Sequence, residues 1–258
     1  MRDPCLAPGR RALLLAGALA PLAPALAGEP GSATIALFGG AADRIEGSGK
    51  VIDEPRSVAG FNRVIVQGPL EVRIKAADDD RVVVHADDNI APLIETSLLG
   101  GTLVIGVRAG AAFRTRTDMQ VRLQARQLNG VVLRGSGNVR VDRVDADVFE
   151  ATLQGSGDIT VDSLRAKAVA VSIAGNGDVR IKGTARTVGV VLDGSGDVHC
   201  ADLQAQQVAV RIRGSGDVRV HATGELKVEV DGSGDVHYRG APQISKSIRG
   251  SGSVAALR

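Results

Sequence analysis

The sequence predicts an all-β chain folded as a parallel β-helix, a solenoid of roughly 20-residue coils with an N-terminal β cap. A short motif recurs along its second half: Gly135-Ser136-Gly137-Asn138, Gly155-Ser156-Gly157-Asp158, Gly175-Asn176-Gly177-Asp178, Gly194-Ser195-Gly196-Asp197, Gly214-Ser215-Gly216-Asp217, Gly232-Ser233-Gly234-Asp235 and Gly250-Ser251-Gly252-Ser253. The first glycines step by 20, 20, 19, 20, 18 and 18 residues. Period-2 alternation flanks each turn, as in Val169, Val171 and Ile173 before one turn and Ile159 and Val161 after another, which is the strand signature. Aromatic residues are only 2% of the chain and Trp is absent, so Val, Ile, Leu and Ala must fill the interior. A narrow core between thin sheets needs no large rings.

The N-terminus reads as an export signal. Arg2, Arg10 and Arg11 form a basic region, Ala12 to Leu22 an apolar one, and Ala25-Leu26-Ala27 a small-residue cleavage site. Residues 1–27 are therefore expected to be removed, leaving a mature chain that starts at Gly28. The apolar run is too short, and too broken by Pro21 and Pro24, for a transmembrane helix. Loss of Cys5 with this segment leaves Cys200 as the one remaining cysteine, so no internal disulfide is expected.

Residues 28–130 are expected to form the cap and first strands. The runs Arg63-Val64-Ile65-Val66, Leu70-Glu71-Val72-Arg73-Ile74, Arg81-Val82-Val83-Val84, Leu103-Val104-Ile105 and Val121-Arg122-Leu123 read as strands. Gly68-Pro69, Asp78-Asp79-Asp80 and Gly100-Gly101 read as turns. Residues 131–258 are expected to be the repeat β-helix, continuous with the cap in one domain. Each repeat holds two or three short strands, the third marked by Leu164 and Ala166 or by Leu203 and Ala205. Such a unit cannot bury its apolar face alone; stacking closes the core, with strands of successive coils pairing in parallel at about 4.8 Å. Gly tolerates the positive φ of a tight turn, and Ser or Asn is expected to bond local backbone there. A Greek-key sandwich is the competing architecture; near-identical turns at near-constant spacing favour the helix.

These residues resemble the bacterial family described as "putative auto-transporter adhesin, head GIN domain". The likeness runs from about Val51 to the C-terminus. It includes Arg56-Ser57-Val58-Ala59-Gly60-Phe61-Asn62-Arg63-Val64, the Gly-Gly-Thr-Leu from Gly100 to Leu103, and above all the Gly-Ser-Gly-Asp-Val series, from which Asn176 and Ile159 depart slightly. The resemblance implies an exported β-helical domain and carries over no catalytic residues. No translocator barrel is expected in these 258 residues, since it would need many further strands of about 9–11 residues.

Asp158, Asp178, Asp197, Asp217 and Asp235 occupy one repeat position and are expected to stack into a ladder below Asn138. Stacked carboxylates can bind calcium, but turn chemistry explains an Asp there unaided, so no metal or other cofactor is expected and the calcium ladder is the lesser reading. Two positions on stand Arg140, Thr160, Arg180, His199, Arg219 and His237, whose arginines are expected to offset the ladder's repulsion. Cys200 aligns with Val161, Ile181, Val220 and Tyr238 and reads as a buried core thiol. His85, His199, His221 and His237 show no metal-ligand spacing and read as exposed surface residues. No nucleophile elbow stands out with credible partners, and the uniformity of the coils argues against the single broken place that a glycosidase pair would make.

A formal charge of +2, with no basic block beside aromatic platforms, gives no reason to expect a nucleic-acid partner. The expected role is a non-catalytic binding or adhesion module of the cell envelope, periplasmic or at the surface, whose ligand is a glycan or a protein. A self-stacking scaffold and a polysaccharide-acting enzyme are the alternatives.

Overall fold

The computed structural model describes residues 44–257; the export signal, the cleavage site before Gly28 and Cys5 lie outside them. The strands are β1 (Ile45–Glu46), β2 (Val51–Arg56), β3 (Arg63–Gln67), β4 (Glu71–Ala76), β5 (Arg81–Asp87), β6 (Ile94–Leu99), β7 (Thr102–Val107), β8 (Phe113–Arg114), β9 (Gln120–Ala125), β10 (Gly130–Gly135), β11 (Asn138–Val141), β12 (Val144–Gly155), β13 (Asp158–Gly175), β14 (Val179–Gly194), β15 (Val198–Gly214), β16 (Val218–Gly232), β17 (Val236–Arg239), β18 (Gln243–Gly250) and β19 (Val254–Ala256). A 3-10 turn spans Ala91–Leu93. Apart from the small parallel pair β1–β8, the strands form one continuous hydrogen-bonded system.

From β10 onward every pairing is parallel and joins one coil to the next, as from Val169 to Val188, Val208 and Leu226. This is a solenoid and excludes the sandwich. Each coil has a post-turn flank (such as Asp158 to Val161), a connecting run (Leu164 to Ala166) and a pre-turn flank (Ala168 to Ala174). A register shift between Val161 and Leu164 marks the corner between the first two. Inward side chains stack into aliphatic columns. One runs Ile105, Val66, Leu133, Leu153, Ile173, Leu192, Ile212 and Val230, all buried. The thin aliphatic interior is what a chain poor in aromatic residues can fill.

The Gly-x-Gly turns stack on one another. Gly155 has φ +140°, and a Cβ added to Gly157 would lie 1.8 Å from the Gly137 carbonyl oxygen. Close approach of successive turns, as much as positive φ, therefore requires glycine. The turn bonds correct one expectation: they run between coils, backbone to backbone, as in Ser156 N–H to Gly135 O at 3.0 Å and Asn176 N–H to Gly155 O at 3.0 Å. The middle Ser or Asn is solvent-facing, so the ladder of main-chain bonds replaces the local side-chain bond predicted for it.

The helical stack begins before the first Gly-Ser-Gly. Gly68-Pro69 is its degenerate first turn: Gly68 N–H donates to Arg134 O at 2.8 Å, and Gly68 O accepts from Gly137 N–H at 3.1 Å. Coil order in space also differs from chain order. The β3–β4 coil lies between the β7–β9 coil and the β10–β11 coil, paired in parallel with both. Antiparallel partners close the outer side of β7–β9: β6 pairs with β7, β5 with β9, and β2 with β5. Buried Ile90, Ala91 and Ile94 finish the core at that end.

Among the described residues no strand pairs on the far side of β18 and β19. Ile244 continues the column of Leu226, yet Leu226 is 1% exposed and Ile244 41%. Cys200 is buried beside Val220 as its alignment predicts, and burial pushes its thiol pKa up to about 12.

Candidate binding flank

The post-turn flank carries the residues that the repeat pattern singles out. Asp158, Asp178, Asp197, Asp217 and Asp235 do form a column continuing from Asn138, and each spends one oxygen on the next coil. Asn138 Oδ1 accepts from Asp158 N–H at 3.2 Å, and Asp158 Oδ1 from Asp178 N–H at 3.1 Å. Asp178, Asp197 and Asp217 accept in turn from Asp197, Asp217 and Asp235 at 3.1, 2.8 and 3.2 Å. Asp235 ends the series on Ser253 N–H at 2.8 Å. The carboxylates are thus inter-coil acceptors, and charge-assisted bonds of this kind are the stronger sort.

The neighbouring column holds Arg140, Thr160, Arg180, His199, Arg219 and His237 in the expected register. Its relation to the ladder differs from the expectation. Arg140 Nε reaches Asp162 Oδ2 at 2.8 Å, on the side away from the ladder, and Arg219 Nη1 lies 3.1 Å from His199 Nδ1. Among the described residues no arginine forms an ion pair with a ladder carboxylate. One oxygen of each ladder carboxylate already serves a backbone donor, and Arg140 and Arg219 turn instead to Asp162 and His199. The pairing extends the cationic column toward the cap, since Arg140 is opposite Arg73 and Arg73 opposite Arg122.

The four histidines are partly buried rather than exposed, because neighbouring columns cover a ring more than a short side chain. His199 stands out. One ligand atom from each of Asp178, Asp197 and His199 lies within 4.8 Å of the others. Linear spacing could not reveal this cluster; parallel stacking makes residues nearly twenty apart into neighbours. The donor set suits a metal ion poorly. Arg219 is always a donor, so His199 Nδ1 is the acceptor and the ring proton sits on Nε2, facing Asp178 Oδ2 at 3.9 Å. That leaves no imidazole lone pair toward the carboxylates. Burial, then the charges of Arg180 and Arg219, hold the His199 pKa below its ordinary 6.5.

Two further polar groups sit near the cap. Asp87, 1% exposed, accepts from the hydroxyls of Thr115 at 2.7 Å and Thr117 at 2.8 Å, which ties the segment after β8 to β5. On the post-turn side, Arg73, Lys75, Arg81 and Arg122 line a shallow groove of about 450 Å³ with Asp53. Asp53 is held by Arg122 and by His85 Nδ1 at 2.5 Å, and its carboxyl pKa is lowered chiefly by the hydrogen bond to His85.

The fold is shared with solved proteins. The crystal structure of a putative adhesin from Bacteroides fragilis is 26% identical, with a TM-score of 0.77, covering 83% of this chain and all of that one. A putative adhesin from Parabacteroides distasonis is 25% identical with a TM-score of 0.70, and a putative lipid binding protein from the same species is 25% identical with a TM-score of 0.69. Both cover 83% of this chain and all of their own. No curated protein matches the sequence. The match to the family described as "Putative auto-transporter adhesin, head GIN domain" spans residues 60–242, most of the solenoid, and the chain belongs to that family.

Proposed function

We propose that this chain is an exported, non-catalytic binding module of the bacterial cell envelope, which holds a surface ligand against the flank of its solenoid. The observation that carries the reading is the register of the post-turn flank. Outward residues stand in unbroken columns, such as Arg122, Arg73 and Arg140, at the strand spacing of about 4.8 Å. A sheet whose outward residues stand in register along the solenoid suits an extended ligand better than a small substrate.

The acidic ladder fits this role as scaffold. Each of its carboxylates spends one oxygen on a backbone N–H of the next coil. The adhesin and lipid-binding names of similar proteins accord with a surface ligand. Glycan-array and envelope-fraction binding by the secreted chain tests the proposal. Saturable binding without release of reducing sugar is the expected result; sugar release with turnover would replace the binding module by an enzyme.

A second reading has its own observation. Among the described residues β18 and β19 have no outer strand partner and Ile244 is exposed, and uncovered strand edges pair with other chains. Sedimentation across a concentration series separates the two: filaments favour a scaffold, a stable monomer the binding module.

A further inference from the structure

We infer that the groove at the cap end of the post-turn flank binds an extended acidic polysaccharide through its carboxylate or sulfate groups; this rests on the binding-module reading and names its ligand class. Four cations, Arg73, Lys75, Arg81 and Arg122, line the groove with one carboxylate, Asp53, while Glu71 and Asp79 pair with Arg73 and Arg81 from beside it. The imbalance is local. Further along the same flank the acidic ladder lies beside the cationic column, but at the cap end its place is taken by Asn138, Glu71 and Gln120, of which Glu71 alone is charged.

The arginines are crowded, although each has one carboxylate partner: Asp162 for Arg140, Glu71 for Arg73 and Asp53 for Arg122. Arg140, Arg73 and Arg122 are direct cross-strand neighbours, and like charges opposite one another destabilise a sheet. Exposed ion pairs do little to stabilise a fold, so packing gives no reason to gather these cations. They retain donors for a ligand. A guanidinium has five N–H groups; Arg73 commits Nε and Nη2 to Glu71, Arg81 has Nη2 3.4 Å from Asp79, and Arg122 commits Nη2 to Asp53 and His85, leaving their other N–H groups uncommitted. Lys75 adds an exposed ammonium.

Shape selects the kind of anion. Three arginines in consecutive strands place positive charge about every 4.8 Å along the solenoid axis, and Lys75, Gln124 and Arg81 form a second row beside them. A single phosphate would use one or two of these groups. A chain carrying an acidic group on each sugar uses the row, with arginine forks taking carboxylates or sulfates in the two-point geometry that lysine lacks.

The test measures binding of polygalacturonate, neutral dextran and phosphatidylglycerol-containing vesicles to the secreted chain. It compares wild type with the fourfold variant Arg73→Gln, Lys75→Gln, Arg81→Gln, Arg122→Gln. A control removes four cations from the pre-turn flank: Arg134→Gln, Arg211→Gln, Arg213→Gln, Arg249→Gln. The expected result is polygalacturonate binding that weakens with NaCl, since exposed charges are screened beyond about 10 Å at 0.1 M salt. Affinity should fall by about tenfold or more in the groove variant and stay near wild type in the control, with dextran ignored by all three. Equal loss in both variants, or retained affinity in the groove variant, overturns the inference. Binding to vesicles or envelope fractions without polygalacturonate binding also overturns it while leaving the binding module standing. Failure to bind any glycan, vesicle or envelope fraction would remove both.

Discussion

Asp178 accepts one backbone hydrogen bond and stacks between like charges, and the balance of these effects decides what its column is for. Two unit charges about 4.8 Å apart repel by roughly 1 kcal/mol in water-like surroundings and several times that near a protein surface. A hydrogen bond between neutral groups contributes about 1 kcal/mol, and one to a charged group about twice that. Asn keeps the acceptor and loses the charge, as Asn138 already does at the head of the column. Asp178→Asn should therefore stay within about 0.5 kcal/mol of wild type in denaturant unfolding. Asp178→Ala, which strands Asp197 N–H, should lose about 1 kcal/mol. Equal losses would show that the carboxylate has another task. His199 supplies a second residue-scale expectation. Its proton affinity is depressed in the fold, so the unfolded chain takes up the proton first as pH falls. Stability from this residue is complete above pH 6.5 and lost as pH drops below it toward the folded value. Melting temperature should thus fall less between about pH 7.5 and about pH 5.5 in His199→Gln than in wild type; parallel curves would contradict the assigned surroundings. The columns themselves were legible, because every coil repeats them. Their hydrogen bonds were not: a local Asx turn and an inter-coil ladder place Asp at the same position in sequence.

At the scale of the element, alternation reads the faces correctly wherever a coil has neighbours on both sides. Val210 is buried in its column and Gln207 is exposed at the start of the pre-turn flank. Val210→Asp buries an unpaired carboxylate and should cost several kcal/mol, whereas Gln207→Asp should change stability by no more than about 0.5 kcal/mol. Comparable melting temperatures for the two variants would put the register off by one residue. The pattern fails in informative places. Gly68-Pro69 is a turn of the solenoid, but Pro and the lack of a second glycine hide its kinship with Gly135-Ser136-Gly137. The position of β3–β4 between two later coils cannot be read from its residues either, since a parallel strand with both edges free pairs equally well above or below. Local spacing sees neighbours in the chain, not the order in which coils stack.

For the whole molecule, a capped end, a last coil with no outer strand partner among the described residues, and a flank of registered columns follow from one repeat and its exceptions. Export is the condition for an envelope role, and the secreted chain should begin at Gly28 by intact mass; a species retaining Met1 to Ala27 in the membrane would contradict it. The central claim is that the repeated turn and its acidic ladder are scaffold, so that recognition belongs to the outward columns. The ladder joins successive coils from Asp158 to Ser253, which makes global melting the direct test. Wild type and the variant Asp178→Asn with Asp197→Asn are melted in EDTA, in NaCl and in millimolar CaCl₂ at matched ionic strength. A scaffold held by inter-coil backbone bonds predicts that calcium stabilises no more than NaCl and that the variant melts like wild type. A large rise specific to calcium, abolished in the variant, would contradict the claim and make the ladder a metal-dependent binding surface.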